Sequence, residues 1–133
     1  MTGLVLKLRP KERVLINGAV IENGDRRSRF SVLTSDAKIL RLRDALHPDE
    51  VTTPVRRVCY AAQLILTGDS KAEDTQLKLL HRIEELSQIL TDGDSRSQLA
   101  NATNALLDGR HYQCLKSLRS LLSREQRLLA TRT

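Results

Sequence analysis

The sequence predicts an α+β protein: an N-terminal antiparallel β-meander of about five short strands, then a C-terminal array of about four α-helices. Three observations carry this. From Leu4 to Arg43, apolar and polar residues alternate in short runs broken by turn-forming residues, the period of half-buried strands. From Thr53 onward, apolar residues recur at i, i+3 and i+4, the period of amphipathic helices. Charge divides at the same place: residues 1–48 carry ten Lys/Arg against five Asp/Glu, and residues 49–133 carry twelve against eleven. The expected organisation is a basic β-module over 1–46 and a helical region over 47–133, packed together as one domain.

The first strand is read from Leu4, Leu6 and Leu8 on one face, with Val5, Lys7 and Arg9 on the other. Pro10-Lys11 breaks it. KERVLINGAVI, residues 11–21, follows as a hairpin centred on Asn17-Gly18. A type I′ turn needs positive φ at both central positions, which Asn and Gly tolerate best. Val14 and Ile16 share one face of this hairpin, and Arg13 and Leu15 the other. Asn23-Gly24-Asp25 marks another turn, crowded by Arg26, Arg27 and Arg29. Phe30, Val32 and Thr34 then line one face of a fourth strand. Ser35-Asp36 is read as a turn and Lys38–Arg43 as a fifth strand, with Ile39, Arg41 and Arg43 opposite Leu40 and Leu42. Five such strands fit a meander or a small open barrel that leans on helices or on a second subunit.

Thr53 is the expected N-cap of the first helix, with Pro54 at its first position, where a missing N–H costs nothing. Val55, Val58, Cys59, Ala62, Ile65 and Leu66 form its stripe, and Gly68 ends it. A second helix runs from Ser70 to Thr91, with Leu80, Ile83, Leu86 or Ser87, and Leu90 as its stripe and Leu77 and Leu79 beside it, and stops at Asp92-Gly93-Asp94. Ser95 is the expected N-cap of a third, with Gln98 at the capping-box position. Its buried side is Leu99, Ala102, Leu106 and Leu107. Arg110–Ala130 reads as one continuous fourth helix. Its leucines, Leu115, Leu118, Leu122 and Leu129, repeat almost as heptads, which suits a bundle core or a self-association seam.

Little in the chain carries covalent chemistry. GxGxxG, GxxxxGK[ST], HExxH and GxSxG are all absent, and the carboxylate pairs sit at helix starts or on exposed helical faces. Cys59 and Cys114 are far apart and read as buried thiols of a reducing compartment, not as a disulfide or metal pair. The expectation is therefore no enzyme, no cofactor and no metal. No apolar run approaches the ~18 residues of a membrane span, and basic residues interrupt any leader-like N-terminus, so the cytoplasm is expected. The candidate anion-binding residues, chosen on charge, are Lys7, Arg9, Lys11, Arg13, Arg26, Arg27, Arg29, Arg41 and Arg43. Charge alone suits a nucleic-acid-facing surface and a plain solvated basic sheet equally well. Aromatics number three, Phe30, Tyr60 and Tyr112, so no stacking platform is evident.

KERVLINGAVI, the Arg-rich strand after it, and LHPDEVTTPVRRVCYAAQLIL together resemble the flagellum biosynthesis repressor FlbT family of alphaproteobacteria, with Leu15 standing where an aromatic is common. The resemblance covers roughly the first half of the chain. It implies a post-transcriptional regulator that associates with the 5′ untranslated region of flagellin mRNA and promotes its decay, although some members activate flagellar expression. It supplies no RNA-contact residues. The implied partners are a flagellin mRNA leader, a FlaF-like flagellar regulator and further copies of the chain. A different class stays open: an adaptor that binds a flagellar protein through its leucine-rich helices, with RNA association indirect.

Overall fold

The computed structural model describes residues 4–34 and 37–131. The strands are β1 (Leu4–Leu8), β2 (Arg13–Ile16), β3 (Ala19–Glu22), β4 (Ser28–Val32) and β5 (Ile39–Arg41). The helices are α1 (Pro54–Thr67), α2 (Ala72–Ile89), α3 (Gly93–Leu107), α4 (His111–Arg119) and α5 (Leu122–Ala130). The fold class is α+β with N-terminal strands, as expected. The expected Ser35-Asp36 turn lies outside the described residues.

All strand pairs are antiparallel, but only β2 and β3 pair as sequence neighbours. β1 pairs with β4, and the second sheet has the order β3-β2-β5. The Asn17-Gly18 turn has the expected left-handed backbone, φ 49° and 85°. Asn17 also ties the hairpin tip to β5: its N–H reaches the Lys38 carbonyl at 2.8 Å and its Oδ1 accepts the Lys38 N–H at 2.9 Å.

The three-stranded sheet is apolar on both faces. Val14 and Ile39, with Ile16 beside them, pack with Leu6 and Leu8 of β1 in a small cluster. Leu15 and Leu40 turn the other way into the helical core, which holds Leu118, Ile65 and Leu79. Alternation on β5 thus separates two buried faces rather than core from solvent. The fifth strand is also shorter than expected, because residues Leu42–Asp44 wind into a 3-10 turn and leave Leu42 exposed.

Thr53 caps α1 as predicted, accepting the Arg56 N–H at 3.3 Å, and Gly68 ends it at φ 86°. Glu125 completes the cap from seventy residues away. Its Oε2 accepts the Val55 N–H at 2.8 Å, and the Thr53 hydroxyl donates to its Oε1. A buried carboxylate is tolerable there because the orphan N–H groups and the helix dipole both favour negative charge. On α2, Leu79 is buried where Leu80 was the expected stripe residue, while Leu80 packs at the margin.

Two helix readings are corrected. α3 starts at Gly93 with Asp92 as its N-cap, not with Ser95. The Asp92 carboxylate accepts the Ser95 N–H at 3.0 Å, so Ser95 sits inside the first turn and is buried. Hydrogen bonding from Ser95, its side chain first and its N–H second, together with Arg124 at 3.4 Å, holds the Asp92 carboxyl below its ordinary range. Leu107, expected on the buried side of α3, is exposed. Residues 110–130 are not one helix. At Leu121 the N–H bonds the Leu118 carbonyl three residues back, which tightens the chain and re-aims it. The redirection buries Leu121 and carries Glu125 to the N-terminus of α1.

Cys59 and Cys114 are free and buried in the helical core. Burial pushes both thiols up to about 12.

Candidate functional site

Between the end of the β1–β4 ladder, the β5 turn and the outer face of α4 lies an open cleft of about 790 Å³. Eight cationic side chains line it: Lys7 and Arg9 from β1 and its end, Arg27 and Arg29 from the start of β4, Arg41 and Arg43 around the end of β5, and Lys116 and Arg119 from α4. Among the described residues, Asp44 is the one acidic residue in its wall, and Tyr112 the one aromatic.

Local structure explains each position. Lys7 stands on the polar face of β1, directly opposite Arg29 of β4. Like charges directly opposite on a sheet repel, by up to ~1 kcal/mol. Neither side chain has an ion-pair partner among the described residues, and the same holds for Arg9, Arg27 and Lys116. Asn23 fixes the rim. Its Nδ2 donates to the Arg9 carbonyl at 2.8 Å and the Arg26 carbonyl at 2.9 Å, while its Oδ1 accepts from the Ser28 hydroxyl at 2.6 Å. One amide thereby holds the end of β1 against the start of β4.

Glu12 forms the floor behind the arginines. Its side chain is 5% exposed and lies 3.5 Å from both Arg41 Nη1 and Arg43 Nε. It also accepts the Arg9 N–H at 2.9 Å. Arg41 is nearly buried, and its Nε has no hydrogen-bond partner among the described residues. From the helical side, Arg119 donates to the Asp44 carbonyl at 2.6 Å, and its Nη2 lies 3.7 Å from the Asp44 carboxylate. That contact clamps α4 to the end of the sheet.

Of the nine basic residues singled out by charge, six line the cleft: Lys7, Arg9, Arg27, Arg29, Arg41 and Arg43. Lys11, Arg13 and Arg26 do not. Lys11 pairs with Asp25 at 2.9 Å, and Arg13 pairs with Glu22 across the hairpin at 3.0 Å. The residues that charge counting on the strands missed are Lys116, Arg119 and Tyr112. All three lie on one face of α4, at i, i+4 and i+7, which was the legible signal. Of the leucines read as a possible seam, Leu115 and Leu118 are buried in the helical core and Leu122 packs at its margin, while Leu129 is exposed beside Leu128.

Among the described residues, no group of three or more His, Cys, Asp and Glu side chains is placed to hold a metal ion. No helix among them is long and apolar enough to cross a membrane.

These features define a class: a small basic α+β protein with a preformed cation-lined cleft between its sheet and its helices. The family model described as "Flagellar protein FlbT" matches residues 4–129, and the chain belongs to that family. It is 35% identical over 129 residues to a Rhodopseudomonas palustris (strain TIE-1) protein named "Probable flagellum biosynthesis repressor protein FlbT", covering 96% of this chain and 98% of that one. A protein of the same name from Caulobacter sp. (strain K31) is 31% identical, with 95% of each chain covered. The "Flagellum biosynthesis repressor protein FlbT" of Caulobacter vibrioides (strain ATCC 19089 / CIP 103742 / CB 15) is 29% identical over 95% of this chain and 89% of its own. No solved structure matches.

Proposed function

We propose that this protein is a cytoplasmic post-transcriptional regulator of flagellum biogenesis. It binds the 5′ untranslated region of flagellin mRNA and promotes degradation of the message or blocks its translation. It acts by stoichiometric binding, not as an enzyme. The observation that carries this reading is the cleft, where, among the described residues, eight cations face a single wall carboxylate. Backbone phosphates would neutralise the Lys7–Arg29 repulsion and release counterions, giving affinity that falls with salt. Strands and helices both supply lining residues, so the β-module of 1–46 and the helical region of 47–133 act as one binding unit.

The test is a salt titration of the purified protein on a flagellin mRNA leader, beside an unrelated leader of equal length. Expected is preferential binding to the flagellin leader, with a log–log slope of about −0.7 per phosphate contacted if the bound segment is single-stranded. Equal binding to both leaders would reduce the cleft to an unselective basic surface. Absence of binding at moderate salt would overturn direct recognition.

A second reading has its own observation. Leu128 and Leu129 are exposed near the end of α5. They suit an apolar contact with a FlaF-like flagellar regulator or a second copy of this chain, with RNA association indirect. Under that reading, Leu128→Ser with Leu129→Ser abolishes regulation in cells, and charge reversal in the cleft spares it.

A further inference from the structure

The cleft has one aromatic side chain, and its position is informative. Tyr112 stands in the first turn of α4, one turn before Lys116 on the same helix face. Its ring packs against the cluster built on Leu6 and Leu8 and also lines the cleft. The ring is therefore held from behind. Its hydroxyl has no hydrogen-bond partner among the described residues. Lys7 and Arg29, directly opposite each other on the ladder, line the same cleft, and neither has an ion-pair partner among the described residues.

An aromatic braced on one side and flanked by unpaired cations is the arrangement that takes an unstacked base with its neighbouring phosphates. The size of the cleft limits the ligand in the same direction. A volume of about 790 Å³ is that of a pocket for a compact ligand, and its lining comes from three places, the β1–β4 ladder, the end of β5 and α4. An A-form helix would meet only the rim, because its bases are stacked inside and its outer surface is broad and convex.

We propose that the cleft receives an unpaired RNA segment, with one base stacked on Tyr112 and the adjoining phosphates on Lys7, Arg29 and Lys116. This rests on the RNA reading of the cleft and specifies which form of RNA enters it. Tyr112 reads the presence of a free base, whereas the cations read charge in any form of RNA.

The experiment is fluorescence anisotropy with a short labelled RNA of mixed sequence lacking internal complementarity, used free and annealed to its complement. The wild-type protein is expected to bind the free strand more tightly than the duplex. Tyr112→Leu keeps apolar bulk against the core cluster but removes the stacking face. It is expected to weaken free-strand binding about tenfold, as loss of one stacked base does, with the salt slope and duplex binding unchanged. Tyr112→Phe keeps the ring and is expected to stay within about threefold of wild type. Unaltered thermal melting of both variants separates lost stacking from lost folding. Equal affinity for strand and duplex would overturn the stacking proposal alone. So would a Tyr112→Leu protein that binds the free strand as wild type does, or a Tyr112→Phe protein as weak as Tyr112→Leu. Failure of the wild type to bind either probe at low salt would overturn the RNA reading together with it.

Discussion

The hairpin and the cleft are both rich in cations, yet they handle charge oppositely. On the hairpin, Lys11 and Arg13 each have their own exposed carboxylate, Asp25 and Glu22, within 3.0 Å. In the cleft, Lys7, Arg9, Arg27, Arg29 and Lys116 have none among the described residues. Glu12, the carboxylate nearest the cleft arginines, is buried behind Arg41 and Arg43. The difference teaches that a run of basic residues becomes a field only where folding leaves the acids elsewhere. The hairpin is close to neutral by construction, and the cleft is left unbalanced.

The largest effect that would break this contrast comes from reversing charge on each side. Arg27→Glu with Arg29→Glu should weaken binding to a flagellin leader by about a hundredfold or more, since like-charge contacts cost several kcal/mol. Lys11→Glu with Arg13→Glu should change it by no more than about threefold, and should cost about 1 kcal/mol of stability, because the reversed side chain at position 13 stands directly opposite Glu22. Electrophoretic mobility shift and chemical denaturation measure both. Equal losses from the two pairs would erase the distinction.

Glu12 sharpens the contrast at the next level. Glu12→Ala leaves the nearly buried Arg41 and the Arg9 N–H without their carboxylate, and should cost about 1–3 kcal/mol in urea denaturation. Removing an exposed hairpin carboxylate with Glu22→Ala should cost far less. A Glu12→Ala protein of wild-type stability would mean that solvent already satisfies those groups.

The smallest effect lies at the junction of sheet and helices. His111 opens α4, and its Nδ1 is buried without a hydrogen-bond partner among the described residues. Burial first, and Lys38 second, hold its pKa below the ordinary value. The folded state therefore favours the neutral ring. Its contribution to stability is fully present above the unfolded pKa of about 6.5, and it falls away as pH drops below that value toward the folded pKa. Melting temperature should fall more steeply for wild type than for His111→Gln between about pH 7 and pH 5. Parallel curves would show that His111 plays no part.

Much of the fold was legible because it is written locally. Asn17-Gly18 specifies its own turn, Thr53-Pro54 its own helix start, and Leu4–Leu8 its own inner face. What was not legible depends on partners distant in sequence. Nothing near Glu125 says that it caps α1, and nothing near Glu12 says that it lies beneath Arg41 and Arg43. The leucines continue their spacing through Leu121, so periodicity passes over the break that a single i−3 hydrogen bond introduces. Asp92-Gly93-Asp94 ends one helix and caps the next, and only the first role was read. Six of the eight cleft cations followed from strand charge. The α4 wall did not, since Tyr112, Lys116 and Arg119 meet the strands only through tertiary packing.

The two cysteines give the helical core a chemical clock. Both thiols sit in that core and neither in the Leu6–Leu8 cluster, and at about 12 their pKa leaves almost no thiolate in the folded chain at neutral pH. A thiol-trapping reagent must wait for that core to open, so its labelling rate counts openings of the helices together with β2 and β5, whose Leu15 and Leu40 pack into it. Excursions of the β1–β4 pair, whose apolar residues pack in the Leu6–Leu8 cluster, leave no mark on it, and a ligand that ties strands to α4 would slow the clock from the far side of the cleft.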